Sequence, residues 1–488
     1  MDTLELLKQA IFSKRPELAE ILKNSGDEIL LNYAKKYPSN ITDVDAALKL
    51  ELISAVSAET EMLYGPETAA SVDEQLNKFY YISTTDHHGP ISHPFFVQSD
   101  LLSSVRDNTQ NGLNNLIVLA CSNISLNNSS EPRRFLFHKT NETFEFINFF
   151  PSKFVHQSVF GMRAIKYDDL TNMKNQIHNK YSGEKALHEK LIAFVEQFYE
   201  SEQILKLNEY GKQISVSNNK IWENIFPGQK LNNLVYLQLE KVVIRLLLNR
   251  HLTSKTMVNS FILDKDVLEQ VEFLFNGIPG SFDKQNMKGT FLFWYIPGDK
   301  VGIKIPLWRN GNELVSADAK YRIPITPDGL GDALREGKLI PSNMLSMAIL
   351  SCYYRIKCLG GFSQTTYLRR IQTAWNTIFE KNKNDERDYS TLCGDFTIAT
   401  IKIDNKHLPA TGLDFYLYGN SDSYEHFIKN AQTLTLEQTM LPLLPELYKI
   451  LYPARERTPE LSSISTSEIT EMLIRENKLT SCLDTSNL

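Results

Sequence analysis

The stretch "KFYYISTTDHHGPISHPFFVQSDLLSSVRDNTQNGLNNLIVLACS" (Lys78–Ser122) changes the hydrophobic rhythm of the chain three times in 45 residues. "KFYYIS" (Lys78–Ser83) is short, aromatic and bounded by polar residues, which is the pattern of a strand. "PFFVQSDLLSSVRD" (Pro94–Asp107) carries apolar residues at helical spacing, and Pro94 suits a first helical turn. "LNNLIVLACS" (Leu113–Ser122) is apolar without alternation, as a strand buried on both faces is. Strand, loop, helix and strand make a βαβ unit with an expected parallel pairing. The fold expected is therefore α/β: a Rossmann-like, mostly parallel sheet core.

The rest of the chain arranges itself around this unit. Residues 1–70 read as a helical N-terminal region, and Thr42 with Asp45 fits a capping signal. Residues 71–165 form the first part of the core and include an expected hairpin, "RRFLFHKTNETFEFINFF", turning at Lys139–Glu142. Residues 166–275 read as a helical insertion, with "LVYLQLEKVVIRLLL" (Leu234–Leu248) as a buried helix. Residues 276–420 form the second part of the core. Strands are expected in "GTFLFWYIPGDKVGIKIPLWRNGNELV" (Gly289–Val315), turning at its Pro-Gly-Asp and Asn-Gly, and in "LCGDFTIATIKI". Between them a helix–turn–helix runs from Asp328 into "CLGGFSQTTYLRRIQTAW". Residues 421–488 read as C-terminal helices and, after Pro453, a weakly ordered polar tail with one short helix near "SEITEMLIREN".

Composition narrows the class of function. Of 488 residues, 42% are hydrophobic and 23% charged, as in an ordinary globular chain. A formal charge of -6 gives no electrostatic reason to expect nucleic acid. No run approaches a membrane span, and the acidic start resembles no targeting peptide. Five cysteines without a CxxC pair point to reduced thiols and a cytoplasmic location. Cys121, at the end of an expected strand, reads as a buried inert thiol rather than a nucleophile.

The chemistry concentrates in "TTDHHGPISHPFF" (Thr84–Phe96), which holds three of the ten histidines. In an open α/β sheet this loop leaves the C-terminal end of a strand, where sites are built. Asp86, His87, His88 and His93 are candidate ligands for a divalent transition metal. Without a metal, His87 or His88 serves as general acid or base, oriented by Asp86. Gly89 permits close backbone approach, and the helix start at His93 suits an anionic group. The alternative is structural, with His93 a helix cap. A second candidate stretch holds Gly360, Gly361, Ser363, Gln364 and Tyr367, whose polar groups suit a ligand; a helix C-cap explains the same glycines.

Two families offer resemblances. "YISTTDHHGP" is similar to the Asp-His-His signature of the DHH phosphoesterases, which implies a metal-dependent hydrolase. The earlier strand acid and the isolated aspartate of that family have no counterpart here. The order of "TTDHHGPISHPFF", "LIVLACSN" and "IPSNMLSMAILSCYYRIKCLGGFSQTTYL" (Ile340–Leu368) resembles the cysteine-adding ligase family of bacillithiol biosynthesis. That family has a Thr-Gly-Gln-Gln type of sequence in the loop, and acidic and histidine residues where this chain has "SNISLNN". The resemblance covers about a quarter of the chain. It implies a similar α/β core acting on an amino acid or amino-sugar-like substrate. The function expected is a ligase-like or transferase-like condensation of an amino acid derivative. A metal-dependent hydrolase and a non-catalytic binding or scaffold protein are the alternatives.

Overall fold

The computed structural model describes residues 3–38, 44–107, 113–140, 143–298, 303–380 and 390–488. Its centre is a sheet of five parallel strands: β1 (Tyr81–Ser83), β2 (Asn115–Ala120), β3 (Asn233–Gln238), β4 (Lys357–Gly360) and β5 (Ser390–Leu392). Their spatial order is β5-β4-β1-β2-β3, and every neighbouring pair is parallel. The chain builds outward from β1 to β3, then returns to the other side of β1 for β4 and β5. That order is the doubly wound, Rossmann-like arrangement, with its topological switch between β1 and β4.

Both faces of the sheet are covered, which explains the unbroken apolar runs. On β2, Leu116, Val118 and Ala120 join one hydrophobic core, while Ile117 and Leu119 join the other. On β3, Leu234 and Tyr236 face the first core, Val235 and Leu237 the second. The period of two places alternate residues on opposite faces.

Five helices position the site: α1 (Pro94–Asp107), α2 (Tyr210–Trp222), α3 (Leu239–Leu246), α4 (Phe362–Phe379) and α5 (Leu444–Leu451). Helix α1 has the expected bounds. The described N-terminal residues are mostly helical, with helices Thr3–Lys14, Pro16–Ser25, Ala46–Tyr64 and Pro66–Lys78 among their elements. Asp45 caps the third of these, accepting from Ala47 and Leu48 N–H at 2.8 and 3.2 Å. Thr42 lies outside the described residues, as do part of the turn at Lys139–Glu142 and the Asp of Pro-Gly-Asp.

The expected hairpin forms between Arg134–Phe137 and Glu145–Asn148. A second sheet is antiparallel and orders its strands Leu339–Pro341, Phe293–Tyr295, Ile305–Asn310, Glu313–Ser316 and Arg322–Pro324. Its Asn-Gly turn places Gly311 at a φ of 62°, a left-handed conformation suited to glycine.

Three expectations are corrected. "LVYLQLEKVVIRLLL" is not one helix: Asn233–Gln238 is strand β3, and the helix α3 starts at Leu239. "CLGG" does not turn between helices; it is strand β4, running straight into α4. The polar tail is folded. It carries a capped helix, Thr466–Arg475, and a strand, Leu483–Asp484, parallel to Thr400–Ile403. Cys482 and Leu483 are buried there in the first core. Replacing Leu483 by Ala is therefore expected to cost about 2–5 kcal/mol in urea unfolding, the range for a buried leucine. A cost near zero would return the tail to the surface.

Candidate functional site

Loops from the C-terminal ends of four parallel strands converge on one cavity of about 470 Å³, within the size range of small-molecule sites. After β1 come Thr84, Thr85, Asp86 and His87; after β2, Cys121 and Asn123. After β4 come Gly361, Ser363, Gln364 and Tyr367, and after β5, Asp395. Arg15, Glu446 and Ile450 close the cavity from the N-terminal helices and α5. The histidine loop and the Gly-Gly stretch thus share one site, because the switch point makes their strands neighbours.

The two stretches are joined directly. Thr84 N–H donates to Leu359 O at 2.8 Å, and Gln364 Nε2 donates to Thr84 Oγ1 at 2.8 Å. The glycines make room for this. A β-carbon on Gly360 would lie 2.2 Å from Gln364 Cδ, and one on Gly361 would lie 2.4 Å from Asp395 Oδ2. They are not a helix C-cap: Gly361 precedes α4, at its N-terminus. There the Asp395 carboxylate accepts from Phe362 N–H at 2.5 Å. Asp395 itself sits at a φ of 65°, an uncommon conformation for a side-chain-bearing residue, though aspartate is among those that tolerate it. Burial raises its carboxyl to about 6.

The histidine loop is pinned along its backbone. Cys121 N–H donates to Asp86 O and His88 N–H to Cys121 O, both at 2.8 Å, so the β1–β2 pairing continues past the strands. Asn218 of α2 donates to Gly89 O and accepts from Ile91 N–H. A β-carbon on Gly89 would lie 2.9 Å from Pro132 Cα, so Gly89 serves packing against that loop and does not line the cavity.

The four acid and imidazole side chains then diverge. His87 lines the cavity, and its Nδ1–H donates to Asn128 Oδ1 at 3.1 Å, which leaves Nε2 as its acceptor. His88 points away: it is fully buried against Tyr236, with Nε2 at 3.1 Å from Ser215 Oγ. His93 caps α1, its Nδ1 accepting from Phe95 N–H at 3.4 Å, and its ring packs on Phe95 and Phe96 and lines the cavity with them. Asp86 is buried in the cavity wall, with Oδ1 unpartnered. The expected metal set is corrected accordingly. Among the described residues no three His, Cys, Asp or Glu side chains are grouped to hold a metal ion.

Burial also inverts the expected roles of imidazole and carboxyl. Removal from water lowers His87 to about 4 and both His88 and His93 to about 3. All three are neutral at physiological pH. Burial raises Asp86, so its proton, and not an imidazole's, is the one exchanged near neutrality. Cys121 is half-buried in the cavity lining; burial, then the neighbouring Glu240, push its thiol well above the usual range. Glu240 is committed to structure, accepting from Ser122 and Asn123 N–H at 2.9 and 3.0 Å.

Sequence reading missed Arg15, Asp395 and Glu446. The strand expected over "LCGDFTIATIKI" had taken in Asp395; the structure ends β5 at Leu392 and begins the next strand at Thr400, so "CGD" opens a loop between them. Arg15 and Glu446 lie in helical segments with no local mark of a site. No family model and no curated protein matches this chain.

The neutral imidazoles make acid stability a test. An unfolded histidine takes its proton near 6.5 while these folded ones resist it to about 3 or 4. Between those values the unfolded chain binds more protons, so stability is intact above the upper limit and falls as pH drops. Thermal denaturation from about pH 7.5 to about pH 5 should show His88→Gln losing less stability than the parent; the raised carboxyls of Asp86, Asp107 and Asp395, which act in the opposite sense, are common to both and cancel. Equal losses would place His88 in water.

Proposed function

We propose that the protein is a cytoplasmic enzyme that binds a small polar metabolite in this cavity and condenses it with a second molecule, in a ligase-like or transferase-like reaction on an amino acid derivative. One observation carries the reading: the loops of four parallel strands converge, at the topological switch, on a cavity lined by groups able to bind and to move protons. The charges suit a zwitterion. Arg15 Nη1 donates to Lys14 O at 2.9 Å while its Nε is buried without a partner, which favours an incoming carboxylate or phosphate. Asp395 and Glu446 offer carboxylates to an amine. The unpaired state of all five cysteines supports the reducing compartment.

In this reading His87, neutral and with Nε2 as acceptor, takes a hydrogen bond from the attacking group and orients it, and that group's proton passes to solvent as the new bond forms and the bond to the departing group breaks. Asp86 returns one to the departing group. Ser363 and Tyr367 hydrogen-bond and orient the substrate, while Gln364 and Thr84 hold the two halves of the site together. His88, Gly89 and Gly360 support the walls without touching substrate.

Thermal-shift measurements with amino acids, amino sugars and their conjugates test the reading. A compound present at 100 times its Kd should add about 2.7 kcal/mol of stability. The shift should vanish in Arg15→Ala and shrink in Asp86→Asn. A collection of such compounds giving no shift, or shifts indifferent to both substitutions, would sink the proposal. The metal-dependent hydrolase needs a converging donor set, so chelation separates the two: prolonged EDTA treatment should leave the melting temperature and the ligand shifts unchanged.

A further inference from the structure

The ring of His87 is held at one nitrogen by a turn in the loop after β2. Asn128 Oδ1 and Ser130 Oγ each lie 3.1 Å from His87 Nδ1. The direction of these bonds is set by a group that allows no choice. The backbone N–H of Ser130 donates to the Asn128 side chain at 3.0 Å, so the atom there is the carbonyl oxygen and not the amide nitrogen. The Ser130 hydroxyl donates to the same oxygen at 2.8 Å. An oxygen that only accepts is bonded to His87 Nδ1 only if that nitrogen carries the proton.

The opposite tautomer fails at this turn. With Nδ1 bare, it and Asn128 Oδ1 would be two acceptors facing each other at 3.1 Å. Turning the Ser130 hydroxyl toward the ring would set its own oxygen against Asn128 Oδ1 at 2.8 Å as a second such pair. All these contacts are satisfied together only with Nδ1 protonated and Nε2 bare. Removal from water, in keeping with this, holds the ring neutral at physiological pH.

The rest of the residue is fixed too. His87 O accepts from Tyr236 O–H at 3.2 Å, and the ring meets Phe96 edge-on with centroids 5.6 Å apart. Nε2 has no protein partner among the described residues and, unlike Nδ1 of His88, it is not sealed off. Since His87 and Phe96 both line the cavity, a bare acceptor stands there in a fixed place beside an aromatic ring.

We propose that Asn128 is a positioning residue that sets the specificity of the cavity. By holding His87 as its Nδ1–H tautomer it selects a molecule that presents an N–H or O–H to Nε2, and refuses one that presents an ether, carbonyl or carboxylate oxygen there. Only in taking that molecule to be the substrate does this selection rest on the catalytic reading above. A mismatched molecule leaves the acceptor unpaired, and a site built around a hydrogen bond discriminates sharply against its absence. An attacking hydroxyl or amine meets the requirement.

NMR of the full-length protein labelled with 15N-histidine tests the lock, with the His87 signals assigned by their loss in His87→Gln. At about pH 7.5, where free imidazole is neutral, the parent should show Nδ1 protonated and Nε2 bare. Phenol and anisole, which differ in whether the oxygen carries a proton, probe the selection. Phenol should move the Nε2 resonance and bind about tenfold or more tightly than anisole. Asn128→Leu frees the Ser130 hydroxyl to donate to Nδ1, so Nε2 should gain the proton and the preference for phenol should disappear. Ser130→Ala, which keeps the Asn128 oxygen and the backbone donor that orients it, should retain both. A parent with Nε2 protonated overturns the proposal, as do probes that move Nε2 equally or not at all, and an Asn128→Leu protein with the parent's tautomer. Should that variant misfold, the parent's tautomer and its two probes decide alone. A locked tautomer that prefers phenol, in a protein that binds none of the metabolites above, would uphold the selection and remove the enzyme. Metabolites that bind beside a protonated Nε2 would do the reverse.

Discussion

The side-chain amide of Gln364 fills the space that a β-carbon on Gly360 would need, and from there it binds Thr84 on the neighbouring strand. Strands β1 and β4 are 274 or more residues apart in the chain at this contact, yet they are adjacent in the sheet because the chain reverses its direction of growth there. The glycine at 360 thus leaves the space in which Gln364 makes the join between the two halves of the fold. The same join delivers the histidine loop and the start of α4 to one cavity. A side chain at Gly361 would evict Asp395 in the same way.

The environment then decides which groups titrate. A loop that looks rich in acid–base histidines is folded with its imidazoles out of water, and buried imidazoles stay neutral. The carboxyls near them shift the opposite way for the same reason. Loss of hydration penalises whichever form is charged, so burial exchanges the usual assignments: the histidines become hydrogen-bonding groups, and an aspartate holds the exchangeable proton.

Much of the core was legible, because the period of hydrophobicity there is clean. "KFYYIS", "PFFVQSDLLSSVRD" and "LNNLIVLACS" each hold one rhythm from end to end, and the βαβ unit follows. "LVYLQLEKVVIRLLL" does not: β3 and α3 abut without a turn residue, and six strand residues run straight into a helix of the same apolar character. Strand β4 hid behind its glycines, which read as a turn but are explained by Gln364 and Asp395 from elsewhere in the chain. The tail misled through composition. Its polar residues form a capping box at Ser465 and Glu468 and cover a few deeply buried ones, Cys482 and Leu483 among them. The directions of His87 and His88 were not readable, since each is set by a partner on another element, whereas His93 caps α1 as its place before Pro94 allowed.

The cavity wall carries a kinetic implication. Arg15 from the beginning of the described chain meets Glu446 and Ile450 of α5 across one opening, and the nearby hydrogen bond from Tyr452 O–H to Ala10 O closes a loop of 442 residues. Contacts of such separation carry a high entropic cost of closure and form late. Floor and roof alike depend on long-range contacts, the β1–β4 join across 274 residues and the roof across 442, so the cavity is complete only when both ends of the chain have docked.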